Sequence, residues 1–212
     1  MFPTDEAAAI KTIWAGHTPQ IRPPKSKGCG SSVLIPLIRT DMGYDILFEI
    51  RAFHLDKQPG EVCLPGGRRE PGETPRETAI RETAEELLVD RDQIHMIAEL
   101  DGAPGPGGAC IWPFVGMLSD YQDTWSRDEV DRTFRVPFSW FLAHEPEVYE
   151  VAMQTVPGED FPFDRLPHGR EYPWKQQHRE VCFYQYGDIT IWGVTAGLIR
   201  AFVKDYTHGS VD

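Results

Sequence analysis

The chain has 212 residues, a formal net charge of −12, 25% charged residues and 41% hydrophobic ones. This balance is ordinary for a soluble globular protein and argues against disorder or residence in a membrane. The shortage of lysine and arginine argues against a non-specific nucleic-acid binder, which needs them to displace counterions, so an acidic protein acting on a polyanion is expected to use metal ions.

Met1 to Glu6 lacks the basic start and apolar run of a signal peptide, and no apolar stretch is long enough to span a bilayer, so the expected location is the cytoplasm. Residues 1–27 read as an arm with a short helix over 6–14 and a Pro- and Lys-containing connector. A compact domain is expected over 28–206, with a tail at 207–212. The runs Ser32–Ile38 and Tyr44–Ile50 predict two strands joined by a turn at Asp41-Met42-Gly43, and Glu61–Leu64 predicts a third, stopped by Pro65-Gly66-Gly67. Thr74-Pro75-Arg76-Glu77 predicts a helix start: a capping hydroxyl, proline at the first helical position, and a glutamate placed to close a capping box.

Strands are expected at His95–Leu100 and Ala109–Leu118, separated by the turn-rich segment Gly102–Gly108, which is long enough to reach over a site. Val148–Val156 and Val181–Tyr186 predict another strand pair around a long loop containing His168, Gly169 and Trp174. Ile191–Tyr206 has the apolar spacing of a helix packed on a core. Trp112, Phe114 and Trp192 are expected in the core. The four cysteines, Cys29, Cys63, Cys110 and Cys182, show no paired or zinc-ligand spacing and read as buried free thiols.

The chemistry is concentrated on the helix that opens at Thr74. Glu82, Glu85 and Glu86 fall at i, i+3 and i+4, which puts three carboxylates on one face, while Ala79, Ile80, Thr83, Ala84, Leu87 and Leu88 fall on the other. Like charges at this spacing repel by a few tenths of a kcal/mol per pair, about 0.2–0.5, so a compensating cation is expected unless the face is merely solvated. Hard divalent ions such as Mg²⁺ take oxygen ligands and bridge carboxylates to phosphates. Arg81 has an ordinary alternative role, pairing with Glu77 or Glu85 one turn away.

The wider frame is Gly67, five residues, Glu73, seven residues, Arg81-Glu82, two residues, Glu85-Glu86. It resembles the signature of the Nudix hydrolase family. The resemblance implies an α/β (α+β) fold, an α/β/α sandwich around a mixed sheet, and hydrolysis assisted by Mg²⁺ or Mn²⁺. It implies Glu82 and Glu86 as metal ligands, Glu85 as a ligand directly or through water, the Gly66 carbonyl as a backbone ligand, and Glu73 and Arg81 as supporting residues. Gly67 lets the backbone approach the metal or phosphate. The general base is expected either from a helix glutamate such as Glu85 or from a later loop, where Glu129 is the candidate; its ordinary alternative is local capping or pairing. Leu88 stands where the family has glycine. Because leucine resists positive φ, the helix is expected to run past it or to end without a left-handed residue, with Leu88 buried.

Ahead of this frame, Arg51, Leu55, Gly60, Val62 and Pro65 resemble the additional motif of the coenzyme A pyrophosphatase subgroup, with Ala52, Gln58 and Leu64 departing from it. Glu99-Leu100-Asp101, Trp112–Gly116, Val136-Pro137-Phe138 and Ile191–Ala196 resemble the same subgroup. The implied partner is a small nucleotide like coenzyme A, with Arg51 either binding a phosphate or serving as a surface ion-pair partner. ADP-ribose, dinucleotides and damaged nucleoside triphosphates are the alternative substrates, and a non-catalytic Nudix-fold module is the alternative of another class. No nucleic-acid or membrane partner is expected, and the sequence leaves a homodimer open.

Overall fold

A computed structural model of the chain describes Thr12, residues 30–105 and residues 109–209. Apart from Thr12, the expected arm and its helix lie outside the described residues, as do residues 106–108 of the turn-rich loop and residues 210–212 of the tail.

The two apolar runs become β1 (Gly30–Thr40) and β2 (Gly43–Arg51), joined antiparallel across Thr40 and Gly43. After β3 (Val62–Cys63) and β4 (Gly66–Arg68) comes α1 (Pro75–Leu87), followed by β5 (Ile94–Glu99), β6 (Ala103–Pro104) and β7 (Cys110–Leu118). β8 (Val130–Pro137) runs into a short α2 (Phe138–Ala143). Then come β9 (Glu147–Met153), β10 (Gln177–Tyr186), β11 (Ile189–Trp192) and α3 (Gly193–Gly209).

The main sheet is mixed, with β1 and β7 parallel and its other pairings antiparallel. Side chains alternate between its faces, so each strand feeds two cores. Leu34, Ile38, Leu47, Phe114 and Leu118 meet Ala79 and Leu87 of α1. On the other face, Ile35, Leu37, Ile46, Phe48 and Val115 meet Phe138 and Phe141 of α2 and Ile199 and Phe202 of α3. The result is the expected α/β/α sandwich, and burial of each such side chain stabilises it by roughly 1.5–3 kcal/mol.

One topological feature positions the site. β1 pairs with β2 only over Leu37–Thr40, and over Ser31–Val33 the same antiparallel ladder edge is taken by β4. The freed end of β2 pairs instead with β3, Glu49 opposite Cys63. This divergence brings the Pro65-Gly66-Gly67 turn beneath α1, where the Pro65 carbonyl accepts from the Leu34 amide at 2.9 Å.

A separate three-stranded sheet, β11-β10-β9, contains the expected pair around the long loop. Several details differ from the sequence reading. Ile191 and Trp192 end β11 rather than open a helix, and Trp192 is 42% exposed, stacked on Phe183 rather than placed in the core. Cys182 is buried, but Cys63 and Cys110 are only partly so. No helix among the described residues is long and apolar enough to cross a membrane.

Candidate active site

α1 begins as its sequence dictates. Thr74 is extended, its hydroxyl accepts from the Glu77 amide at 3.2 Å, and Glu77 Oε2 accepts from the Thr74 amide at 2.8 Å. Glu77 is thereby committed to the cap and does not pair with Arg81.

Arg81 instead gathers the carboxylates of the spaced frame. Its guanidinium donates to Glu73 at 2.7 Å, to Glu82 at 2.9 Å, to Glu85 at 3.1 Å and to the Arg68 carbonyl at 3.3 Å. Glu73 also accepts from the Glu70 amide and the Thr78 hydroxyl. The bond from Arg81, with that from Glu70, holds its carboxyl down at about 2. Glu73 and Arg81 therefore form a positioning network around Glu82.

Glu86, only 4% exposed, lies between α1 and the sheet, and its Oε2 accepts from the Gly66 amide at 2.7 Å. Burial, followed by the charge of Glu49, pushes its carboxyl well above the usual range against the opposing pull of that amide. Burial is also the main cause that raises Glu82, against the opposing pull of Arg81. Glu85 is 58% exposed at the helix surface. The backbone requires glycine at 66, and glycine at 67 leaves room for the Glu82 carboxylate. At Gly66 φ is +149°, and a methyl group there would overlap the Ser32 carbonyl; one on Gly67 would overlap the Glu82 carboxylate.

The end of α1 corrects the sequence expectation. Leu88 does adopt the left-handed conformation, with φ 53° and ψ 48°, and it is 59% exposed. The Val89 amide bonds the Ala84 carbonyl at 3.2 Å, the six-to-one closure of a glycine-type helix end, which turns Val89 back onto the α1 core. The Glu86 and Leu87 carbonyls are taken by the Ser126 amide at 2.7 Å and the Thr124 hydroxyl at 2.6 Å. These bonds outweigh the roughly 1–2 kcal/mol that a left-handed leucine costs.

The same loop ends at Glu129, whose carbonyl accepts from the Ala52 amide at 2.9 Å. Its charge is felt by Glu49, Glu82 and Glu86, so the structure brings this candidate base to the helix cluster. Arg51 is placed differently from a free phosphate ligand: its Nε donates to the Lys57 carbonyl at 3.3 Å and its charge acts on Glu49.

Sequence reasoning missed Glu49. It is 1% exposed on β2, its Oε1 has no hydrogen-bond partner, and burial pushes its carboxyl up to about 8. The available signal was a lone acidic residue inside the apolar run Ile46-Leu47-Phe48-Glu49-Ile50.

The donor set fits a hard divalent cation: carboxylates and a backbone carbonyl, with buried like charges that lack full compensation. Among the described residues no three acidic, His or Cys side chains close on a single point, and Arg81 supplies the positive charge around Glu82 and Glu85.

Residues 30–157 match the NUDIX domain family. The chain is 36% identical over 132 residues to the peroxisomal coenzyme A diphosphatase NUDT7 of Mus musculus, covering 61% of this chain and 55% of that one. It is 35% identical over 196 residues to Nudix hydrolase 3 of Caenorhabditis elegans, covering 90% of this chain and 79% of the relative. An uncharacterized Nudix hydrolase, NudL, of Escherichia coli O7:K1 is 29% identical over 184 residues, with 86% and 85% covered. The chain thus spans little more than half the length of the mouse relative.

Proposed function

The chain belongs to the NUDIX domain family, and from that premise we propose that it hydrolyses the diphosphate bond of coenzyme A or a derivative with the help of a divalent cation. The observation that carries the reaction class is the seating of α1 against the Pro65-Gly66-Gly67 turn, which sets Glu86 on the Gly66 amide and the Glu82 carboxylate beside Gly67. The substrate reading rests on Arg51, Leu55, Gly60, Val62 and Pro65 ahead of the helix. The name of the mouse relative, a coenzyme A diphosphatase, supports it.

Glu82, Glu86 and the Gly66 carbonyl would hold Mg²⁺ or Mn²⁺, with Glu85 joining directly or through water. When bound, the cation offsets the negative charge of the diphosphate and acidifies water for attack at phosphorus. Glu73 and Arg81 fix the rotamer of Glu82 and hold Glu85 within reach. Glu129 accepts the proton of the attacking water, a role suited to a carboxylate on the rim of an acidic cluster. Water adds across the P–O–P bridge, giving a phosphopantetheine product and adenosine 3′,5′-bisphosphate, with no covalent enzyme intermediate. Arg51 reads the 3′-phosphate, for which it must leave the Lys57 carbonyl.

The proposal includes a cytoplasmic location and a small nucleotide as partner. The retained acidic residues of the frame count against a non-catalytic module, because a binding module has no need of clustered like charges. Incubation of coenzyme A with the protein and Mg²⁺ or Mn²⁺, followed by product masses, tests the reaction. Both products are expected, and none after chelation. Intact coenzyme A under both metals rejects the substrate assignment.

A further inference from the structure

Glu49 is the buried charged group that the motif on α1 does not account for. It shares its face of β2 with Leu47, which packs against α1 beside Leu87, so the Glu49 side chain enters the same layer between helix and sheet as Glu86. Its Oε2 has only a weak thiol donor, Cys63 Sγ at 3.9 Å, and its Oε1 has none. Ser32 Oγ and Thr83 Oγ1, from the sheet and the helix around that layer, are likewise buried without a partner. A carboxylate buried in this way is destabilising unless something positive or a donor reaches it. The charges that bear on it are Arg51, which opposes the cost, and Glu86 and Glu129, which add to it.

We infer that Glu49, reaching from β2 into the layer beneath α1, is a further carboxylate of the divalent-cation centre, contributed by the sheet rather than by the helix. The divergence of β1 and β2 is what opens the position: where β4 replaces β2 beside β1, Glu49 faces Cys63, three residues before Gly66. A cation held by Glu82, Glu86 and the Gly66 carbonyl would thus gain a further anionic side chain from the sheet wall, directly or through one water. This inference rests on the metal-dependent reading above.

The test is Mn²⁺ titration by calorimetry without substrate, paired with melting temperature with and without Mn²⁺, for wild type, Glu49→Gln, Glu49→Asp and Glu86→Gln. Glu49→Gln is expected to melt at or above wild type without metal, since a neutral amide replaces a buried acid that lacks partners. It should also bind Mn²⁺ at least tenfold more weakly and lose most of the Mn²⁺-induced rise. Glu49→Asp, which keeps the charge at shorter reach, should fall between the two. A Glu49→Gln protein that binds Mn²⁺ as tightly as wild type, while Glu86→Gln does not, overturns the role of Glu49 and leaves the metal site standing. Wild type that binds no Mn²⁺ overturns both. Should Glu49→Gln fail to fold, an Mn²⁺ affinity of Glu49→Asp equal to wild type overturns the inference.

Discussion

Glu86 and Glu73 are both glutamates of one motif, yet their surroundings give them opposite behaviour. Glu86 is sealed against Gly66 and carries a raised pKa, whereas Glu73 sits in the grip of Arg81 and carries a lowered one. Glu86→Gln keeps the side-chain shape and removes a proposed anionic ligand, so kcat is expected to fall by on the order of 100-fold or more while the melting temperature holds. Near wild-type turnover at saturating Mg²⁺ would remove Glu86 from the site. For Glu73, the folded value of about 2 lies below the ordinary 4.5. Its stabilising contribution is therefore fully present above about pH 4.5 and is lost as pH falls toward 2. The stability gap between wild type and Glu73→Gln should close over that interval; a gap that widens in acid would show that the carboxylate is not held as an anion by Arg81. Among single residues, the helix glutamates were legible because their spacing is a property of sequence. Glu49 was not, because its neighbours Cys63 and Glu86 are brought to it only by strand register and helix seating.

At the scale of elements, α1 is defined at its start by local chemistry and at its end by tertiary contacts. Thr74→Ala removes the capping hydroxyl and should cost about 1 kcal/mol in chemical denaturation. No change would mean that Pro75 and packing alone fix the start. Leu88→Gly relieves the left-handed strain of roughly 1–2 kcal/mol but restores freedom to the unfolded chain worth about 0.4–1 kcal/mol. The variant should thus be neutral or up to about 1.6 kcal/mol more stable, and a loss beyond about 1 kcal/mol in the same measurement would contradict the account of this helix end. The contrast explains what could be read in advance. The capping box lies within four residues of sequence, whereas the bonds from Thr124 and Ser126 that stop the helix come from a loop dozens of positions away. β8 escaped notice for a similar reason: Asp131, Arg132, Thr133 and Arg135 interrupt its apolar pattern, which a strand ladder-bonded to β2 alone tolerates. β9 was legible from its β-branched residues even though every residue in it is exposed.

Across the whole molecule, an acidic protein with a net charge of −12 gains nothing from long-range attraction when it meets a polyphosphate. Selection must come from local contacts. The proposed cation centre would act on the anhydride in every candidate substrate, so differences between substrates report on the groups beyond it, with Arg51, whose charge reaches Glu49, as the first candidate. The most direct measurement is kcat/KM for coenzyme A, dephospho-coenzyme A, ADP-ribose and a nucleoside triphosphate under one metal concentration and pH. Coenzyme A is predicted to be the best, dephospho-coenzyme A weaker through loss of the proposed 3′-phosphate contact, and ADP-ribose weaker again. A tenfold or greater preference for ADP-ribose or the triphosphate, about 1.4 kcal/mol in transition-state binding, would contradict the coenzyme A assignment.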